Sequence, residues 1–255
     1  MKRLSRSNIY AGIALLILII AFLFPVVVFN KVPGKIKSGN IDSIPFYVAP
    51  VWDFYQTGRY VSPYTPQGAE KDFKKMVESR GEIGVASIPI WFVSLEAPNY
   101  PKAAFPDGIP VYFHLDGYSG DVQEMNTINH FIGMYPMERG GQLERRLAPY
   151  LLVLEMFLIV LFMAVRHKAS IFGMMMPVLF PVVFLVFYAG WLYWYGHNLQ
   201  DWGMFTVKPF MPTVFGDGKV AQFTTHSYPT VGFFMLLAIS VLSLMAVLSR
   251  RKEIR

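Results

Sequence analysis

The stretch from Glu124 to Met137 (EMNTINHFIGMYPM) gathers residue types that can bind a soft metal ion. Imidazole is a good ligand for copper, and a thioether sulfur selects Cu(I). If the stretch is helical, Asn126, His130 and Met134 follow one another at i, i+4 spacing and share one face. This spacing predicts that His130 and Met134 can bind the same ion.

The other methionines of this stretch have different positions. Met125 lies on the opposite face with Ile128 and Ile132, the apolar stripe that a helix buries, so we expect it to fill the core. Met137 follows Pro136, beyond the expected helix end, and the chain can fold it back toward the candidate site. The alternative, that the methionines only fill a core and the histidine is only hydrogen-bonded, stays open at this point.

A second region, residues 196–230, contains further imidazoles. Its run Lys219–Pro229 (KVAQFTTHSYP) alternates like a strand that could pair with the larger domain and bring His226 toward His130. One face of that strand would carry Val220, Gln222, Thr224 and His226. The predicted metal ligands are His130, Met134, Met137 and His226, with Asn126, His114, His197 and Glu155 as secondary candidates.

Two further observations limit the chemistry. The chain has no cysteine, so a soft-metal site must be built from methionine and histidine. Glu155 lies inside a long apolar run, where a carboxylate is costly and is by default a functional hypothesis. We expect it to face Tyr188, Tyr193 or His197, as a proton-handling group or as a neutral acid bonded to a neighbouring helix.

Four long apolar runs set the architecture of the chain, of which 54% is hydrophobic. They span residues 9–29, 147–165, 171–195 and 231–248. Each has the roughly 17–25 residues that a helix needs to cross a hydrocarbon core about 30 Å thick. The first run is too long for the apolar part of a cleaved signal peptide, so we expect an uncleaved anchor.

Basic residues flank these runs on alternate sides. They are Lys2, Arg3 and Arg6, then Arg166 and Lys168, then Arg250, Arg251, Lys252 and Arg255. By the positive-inside rule, residues 1–8, 166–170 and 249–255 are cytoplasmic, and residues 30–146 and 196–230 lie outside. The net charge of +6 is therefore explained mostly by basic residues that orient the chain in the membrane, and it predicts no nucleic-acid partner.

The outer segment 30–146 reads as a mixed α/β domain. Residues 30–66 look extended, and residues 68–79 form a short amphipathic helix. Strands are predicted at residues 85–95, where Pro89 either restricts the strand to a sheet edge or splits the run, and at residues 111–115. A helix from about residue 122 to 132 would start at Asp121, with Glu124 completing a capping box. The predicted fold class is a membrane protein of four transmembrane helices with this domain inserted between helices 1 and 2.

Three segments carry a family resemblance: EAPNYP (residues 96–101), GDVQEMNTINHFIGMYPM (residues 120–137) and AQFTTHSYP (residues 221–229). They resemble small bacterial membrane proteins with an Asn-His-(Tyr/Phe)-Ile-Gly-Met segment, associated with copper handling for nitrous oxide reductase or other respiratory copper enzymes. The resemblance covers about a quarter of the chain. It implies that His130, Met134 and Met137 are ligands and that His226 lies in another shared block; Phe131 stands where the family has tyrosine.

These observations favour a multi-pass protein of the bacterial cytoplasmic membrane that binds Cu(I) on its outer side and assists maturation of a respiratory copper enzyme. Such a protein binds and transfers copper without catalysing a reaction, and its partners are the lipid bilayer and the copper enzyme. A second hypothesis is a structural or assembly subunit that docks other membrane subunits. A third is a subunit of a copper oxidase or monooxygenase, which would need more histidine ligands than the sequence offers together.

Overall fold

The computed structural model describes residues 5–23, 88–98, 108–115, 117–201, 203–204, 206–220 and 222–254. Within these residues lie five α-helices: α1 (Arg6–Leu18), α2 (Val122–Phe131), α3 (Gln142–Ala164), α4 (Ser170–His197) and α5 (Val231–Ile254). The first helix continues as a π-helical segment, Ile19–Leu23, and a 3₁₀ turn occupies Met137–Arg139. The predicted extended segment 30–66 and the predicted helix 68–79 lie outside the described residues.

Three of the helices, α3, α4 and α5, are long and apolar enough to cross a membrane, as in a multi-pass membrane protein. The described part of the first apolar run, Arg6–Phe22, is a shorter apolar helix. Each of the three long helices extends beyond its predicted run by at least one residue. In α3, for example, the polar turn that begins at Gln142 is already helical.

The helices pack as a ring in which α1 and α4 each contact both α3 and α5. The buried side of α3 repeats at helical spacing through Leu152, Glu155, Ile159 and Phe162. At one end of the ring, which we call the far end, the buried guanidinium of Arg250 joins three helices. It donates to Asn8 Oδ1 at 2.6 Å and to the Val165 carbonyl at 3.1 Å, and it lies 4.2 Å from the centre of the Phe162 ring.

An antiparallel sheet covers the opposite end, the sheet end. Its strands are β1 (Trp91–Glu96), β2 (Ile109–Phe113), β3 (Tyr118–Gly120), β4 (Gly216–Val220) and β5 (Phe223–Pro229), in the order β3-β2-β1-β5-β4. Strand β1 is central, with Val93 opposite Val111 on one side and Ser227 on the other. The sheet therefore combines strands from before α3 with strands from between α4 and α5.

The strand predictions need two adjustments. In the described part of the run 85–95, the strand begins at Trp91, after Pro89, because proline cannot donate a ladder hydrogen bond. The expectation of an edge strand is wrong, because β1 lies between β2 and β5. The run Lys219–Pro229 is not one strand but a hairpin, in which Val220 of β4 pairs with Phe223 of β5. The predicted common face of Val220 and His226 is therefore wrong, because the turn between the strands changes the alternation.

Trp91 joins the sheet to the bundle. Its Nε1 donates to Ser227 Oγ at 2.8 Å, and the hydroxyl of Tyr188 lies 3.0 Å from the same oxygen. Its ring packs edge-on against Phe233 of α5, with centroids 5.2 Å apart. A buried aromatic side chain of this size, with its polar atom satisfied, is a strong anchor. The sheet and the helices are thus one packed unit in this region.

Candidate functional site

The end of α2 decides where the methionines of the predicted site go. Gly133 has φ +80°, a left-handed conformation that stops the helix, and the N–H of Met134 donates to the Asn129 carbonyl at 2.7 Å. The chain reverses at this point, so Met134 is no longer on the helix surface. His130 is exposed and Met134 is buried, so the predicted stacking of these two residues on one helix face is wrong.

A side-chain hydrogen bond fixes the next methionine. The N–H of Met137 donates to Asn126 Oδ1 at 2.8 Å, and both residues are buried. The carbonyl of Met137 accepts from the hydroxyl of Tyr195 in α4 at 2.9 Å. Asn126, a secondary ligand candidate from the sequence, thus positions Met137 through its side-chain oxygen. The predicted capping box is absent, because Asp121 makes no side-chain cap hydrogen bond.

Met134 and Met137 line a cavity of about 250 Å³ between the sheet, α2 and the sheet end of α4. Met125 lines the same cavity, and so does His114, which follows β2. Three thioethers and one imidazole therefore border a common space. All four residues are buried, with at most 8% of each exposed. His114 and Met125 replace His130 and His226 in the group that the fold brings together.

Strand alternation explains the sheet wall of this cavity. In β1, Val93 and Leu95 line it, and in β5 the alternate residues Phe223 and Thr225 do so. Successive side chains of a strand point to opposite faces. His226, next to Thr225, therefore points away from the cavity, and it is not among the lining residues.

Polar groups at the cavity wall are bonded to one another. Glu144 accepts a hydrogen bond from Trp191 Nε1 at 3.0 Å. Arg145 donates to the hydroxyl of Tyr118 at 3.0 Å, and its guanidinium carbon lies 4.9 Å from the centre of the Tyr118 ring. Apart from these groups, the lining is mostly aliphatic and aromatic, and it includes the exposed Phe187 of α4.

His226 belongs to a separate polar cluster on the other face of the sheet. Its Nδ1 donates to Asp217 Oδ1 at 2.6 Å, its Nε2 lies 3.5 Å from Glu96, and Tyr228 donates to Asp217 at 2.7 Å. The hydrogen bond with Asp217 raises the pKa of His226, and the bonds from His226 and Tyr228 lower the pKa of Asp217. Both imidazole nitrogens thus face carboxylates.

The remaining sequence candidates are dispersed. His197 at the end of α4 is exposed and stacks on Tyr193, with ring centroids 3.8 Å apart. Glu155 is completely buried in the bundle, and neither of its oxygens has a hydrogen-bond partner among the described residues. Tyr188, which was expected to face Glu155, is bonded to Ser227 instead.

No protein-family model, curated protein or solved structure matches this chain.

The donor set distinguishes between metals. Among the residues that the structure describes, no three His, Asp or Glu side chains are grouped so that they could hold a metal ion. Hard cations such as Ca²⁺ and Mg²⁺ need several oxygen ligands, which the cavity does not group. Thioethers with one imidazole suit Cu(I), which accepts few, soft ligands. From the sequence, His114 is only a secondary candidate and Met125 is assigned to the core, because their common cavity depends on the pairing of β2 and on the packing of α2.

Proposed function

We propose that the chain is a four-span protein of the bacterial cytoplasmic membrane, with both termini in the cytoplasm and the sheet on the outer side. Support comes from α3, α4 and α5, which can each cross a membrane, and from the basic residues at the far end of the ring. In this topology the cavity lies at the outer surface of the bilayer, between the helix ends and the sheet.

The cavity binds Cu(I) in this proposal, and the protein delivers that copper to a respiratory copper enzyme. The observation that carries it is the convergence of Met125, Met134, Met137 and His114 on one cavity. Neutral ligands suit a singly charged, soft ion, and a hydrophobic shell keeps competing water away from it. Methionine also tolerates an oxidising compartment, where exposed thiols would pair as disulfides.

A copper titration tests the proposal. The purified protein, in detergent and under anaerobic reducing conditions, competes for Cu(I) with a coloured chelator. We expect binding of a single Cu(I), weakened at least about tenfold in a Met134→Leu, Met137→Leu double variant, since leucine keeps the volume but lacks the sulfur donor. The matched control is Met204→Leu, because Met204 is exposed and does not line the cavity.

The same assay distinguishes the histidine that lines the cavity from the two histidines predicted as ligands from the sequence. His114→Gln is expected to weaken Cu(I) binding, whereas His130→Gln and His226→Gln are expected to leave it unchanged. The opposite result would move the site to the ligand set predicted from sequence. If the wild-type protein binds Cu(I) no more tightly than the double variant does, the copper proposal is contradicted.

A second candidate function is binding of an apolar molecule from the membrane. It is favoured by the aromatic and aliphatic lining and by Phe187, which is exposed on α4 and also lines the cavity. Cavities of this kind with a few polar groups are the usual form of small-molecule sites. Organic extraction of the purified protein followed by mass spectrometry would identify such an occupant. A stoichiometric lipid or quinone in protein that binds no Cu(I) would favour this function.

A further inference from the structure

Glu155 is a buried carboxyl group that neither the cavity nor the copper proposal uses. It lies in the middle of the buried stripe of α3, is 0% exposed, and within the part of the chain that the structure describes it has no hydrogen bond to either oxygen. A carboxylate with no partner in an apolar interior carries a desolvation penalty of several kcal/mol, which protonation removes. A neutral carboxylic acid in this position needs a hydrogen-bond acceptor for its O–H.

The packing of α3 on α4 shows which residue of α4 lies level with Glu155. The Cβ that Gly173 lacks would lie 3.3 Å from Leu158 Cδ2, so Gly173 and Leu158 are level. The two helices run in opposite directions, so one turn toward the sheet leads from Leu158 to Glu155 and from Gly173 to Pro177. Glu155 and the buried Pro177 therefore lie at about the same depth.

The carbonyl of Pro177 is an acceptor without its normal partner. In a helix it would accept from the N–H of residue 181, but residue 181 is also proline and has no N–H. A neutral carboxylic acid has an O–H to donate to such a carbonyl, whereas an ionised carboxylate has only lone pairs. A carbonyl freed in this way therefore favours the protonated form of a carboxyl group that reaches it.

A second orphaned oxygen lies at the same level on α5. The hydroxyl of Ser240 donates to the Val178 carbonyl at 2.7 Å, which sets α5 against α4. Ser243, one turn toward the far end from Ser240, is therefore close in depth to Pro177 and Glu155. Its Oγ is buried and has no hydrogen-bond partner. Buried polar atoms that lack protein partners are the positions where internal water is held.

The described segments of the helices that surround Glu155 hold no other charge at its depth. In the sequence, residues 171–187 of α4, 231–249 of α5 and 9–23 of the first run contain no Lys, Arg, His, Asp or Glu, and their titratable group is the phenol of Tyr10. Arg250 is bonded to groups level with Val165, about 15 Å along α3 from Glu155 at ~1.5 Å per residue. The π-helical segment of the first helix, Ile19–Leu23, packs against α3. Such segments are frequent at functional sites.

We propose that Glu155 is a proton-binding site in the middle of the bundle, at the depth of Ser243 and of the proline-freed carbonyl of α4. A proton suits the site better than a metal cation, because Na⁺ or Mg²⁺ would need more oxygen ligands than these three groups supply. The proton exchanges with bulk water: Glu155 releases it to a water molecule as hydronium and takes it back as the bundle opens at these irregular turns.

Infrared spectroscopy of the full-length protein in lipid at neutral pH tests the proposal. We expect the carbonyl band of a protonated carboxylic acid in the wild-type spectrum and its loss in Glu155→Gln, with no loss in the matched control Glu144→Gln. Transfer to D₂O buffer should shift the band, because the proton exchanges. Absence of the band, or a band that does not shift after prolonged incubation in D₂O, overturns the proposal.

A second measurement needs no variant. Dicyclohexylcarbodiimide reacts with protonated carboxyl groups in apolar surroundings, and mass spectrometry locates the adduct. Modification at Glu155 in the wild-type protein supports the proton site even if Glu155→Gln fails to fold. If solvent-exposed carboxyl groups react and the peptide that contains Glu155 does not, the proton-site proposal is contradicted.

Discussion

Asn126 holds Met137 in place through a 2.8 Å hydrogen bond from the Met137 backbone N–H to the Asn126 side-chain oxygen. The bond joins α2 to the chain that follows it and is fully buried, so it fixes where the Met137 thioether meets the cavity. A buried N–H that loses its acceptor costs about 1–3 kcal/mol.

Asn126→Ala should therefore lower the free energy of unfolding by about 1–3 kcal/mol and also weaken Cu(I) binding, because Met137 is no longer fixed. Thermal unfolding followed by tryptophan fluorescence measures the first effect, and chelator competition the second. Asn198→Ala is the control, since the side-chain amide of Asn198 donates locally, to the Trp194 carbonyl in the last turn of α4, at 2.8 Å. Equal losses in both variants would argue against a special role for the Asn126 bond.

Gly133→Ala should be strongly destabilising. Gly133 has φ +80°, and an added Cβ would lie 2.6 Å from the Gln200 carbonyl oxygen. The left-handed conformation costs about 1–2 kcal/mol with a side chain, and the clash adds to it. Gly190→Ala, where a Cβ would meet nothing within 4 Å, should instead be neutral or stabilising by up to about 1 kcal/mol. If the two variants have the same melting temperature, this explanation is refuted.

The cluster around His226 should make the hairpin sensitive to pH in both directions. The pKa of His226 is raised above 6.5, so its contribution to stability is complete below 6.5 and is lost as the pH rises through the folded value. The pKa of Asp217 is lowered below 3.8, so its contribution is complete above 3.8 and is lost as the pH falls through the folded value.

The cluster should therefore raise the melting temperature most between pH 3.8 and pH 6.5. His226→Gln should flatten the pH profile on the alkaline side while leaving Cu(I) binding intact. His167→Gln is a suitable control, because His167 is exposed and lies between α3 and α4. An unchanged profile in His226→Gln would show that the cluster contributes nothing measurable.

Asp121 should destabilise the protein at neutral pH. Burial, with a smaller effect from Glu124, raises its pKa from 3.8 to about 6. A raised pKa means that the folded state binds the proton more tightly, so stability is lost as the pH rises from 3.8 through about 6. Asp121→Asn, which mimics the neutral form, should raise the melting temperature at pH ~7.5 by about 2 °C or more and change it little at pH ~3.5. A gain of the same size at both pH values would point to a cause other than ionisation.

Arg250→Met should loosen the far end of the helix ring. It removes the hydrogen bonds to Asn8 and the Val165 carbonyl, and it leaves Glu253 without its nearby guanidinium, at 3.8 Å. Removing one member of a buried charged network costs about 3–5 kcal/mol. Arg251→Met removes the same charge from an exposed neighbour and should cost less than about 0.5 kcal/mol. Detergent-resistance or urea titrations of both variants make the comparison.

Local patterns were sufficient for much of the fold. Apolar runs identified the three long helices, and the stop signal at Gly133 placed the end of α2 to within one residue of Phe131, although the capping box predicted at its start is absent. The strand at β1 was predicted with its break at Pro89. These features depend on neighbouring residues, whose periodicity is written directly in the sequence.

The candidate site could not be assembled in the same way. Gly133 was recognised as the helix end, yet Met134 was still placed on the helix face, although a left-handed glycine turns the next residue away. For His226, the hairpin turn reversed the expected face. His114 and Met125 share the cavity only because β2 pairs with β1 and α2 packs on the sheet, and such long-range contacts leave no local periodicity to read.

The position of β1 between β2 and β5 has a consequence for biosynthesis. The central strand is translated early, but one of its two partners, β5, follows only after α3 and α4 have been made. Until residue 229 has emerged, one edge of β1 has no ladder partner and the cavity lacks the wall formed by Phe223 and Thr225. Synthesis of α3 and α4 must therefore precede completion of the cavity, and the last strand of its wall is made immediately before α5.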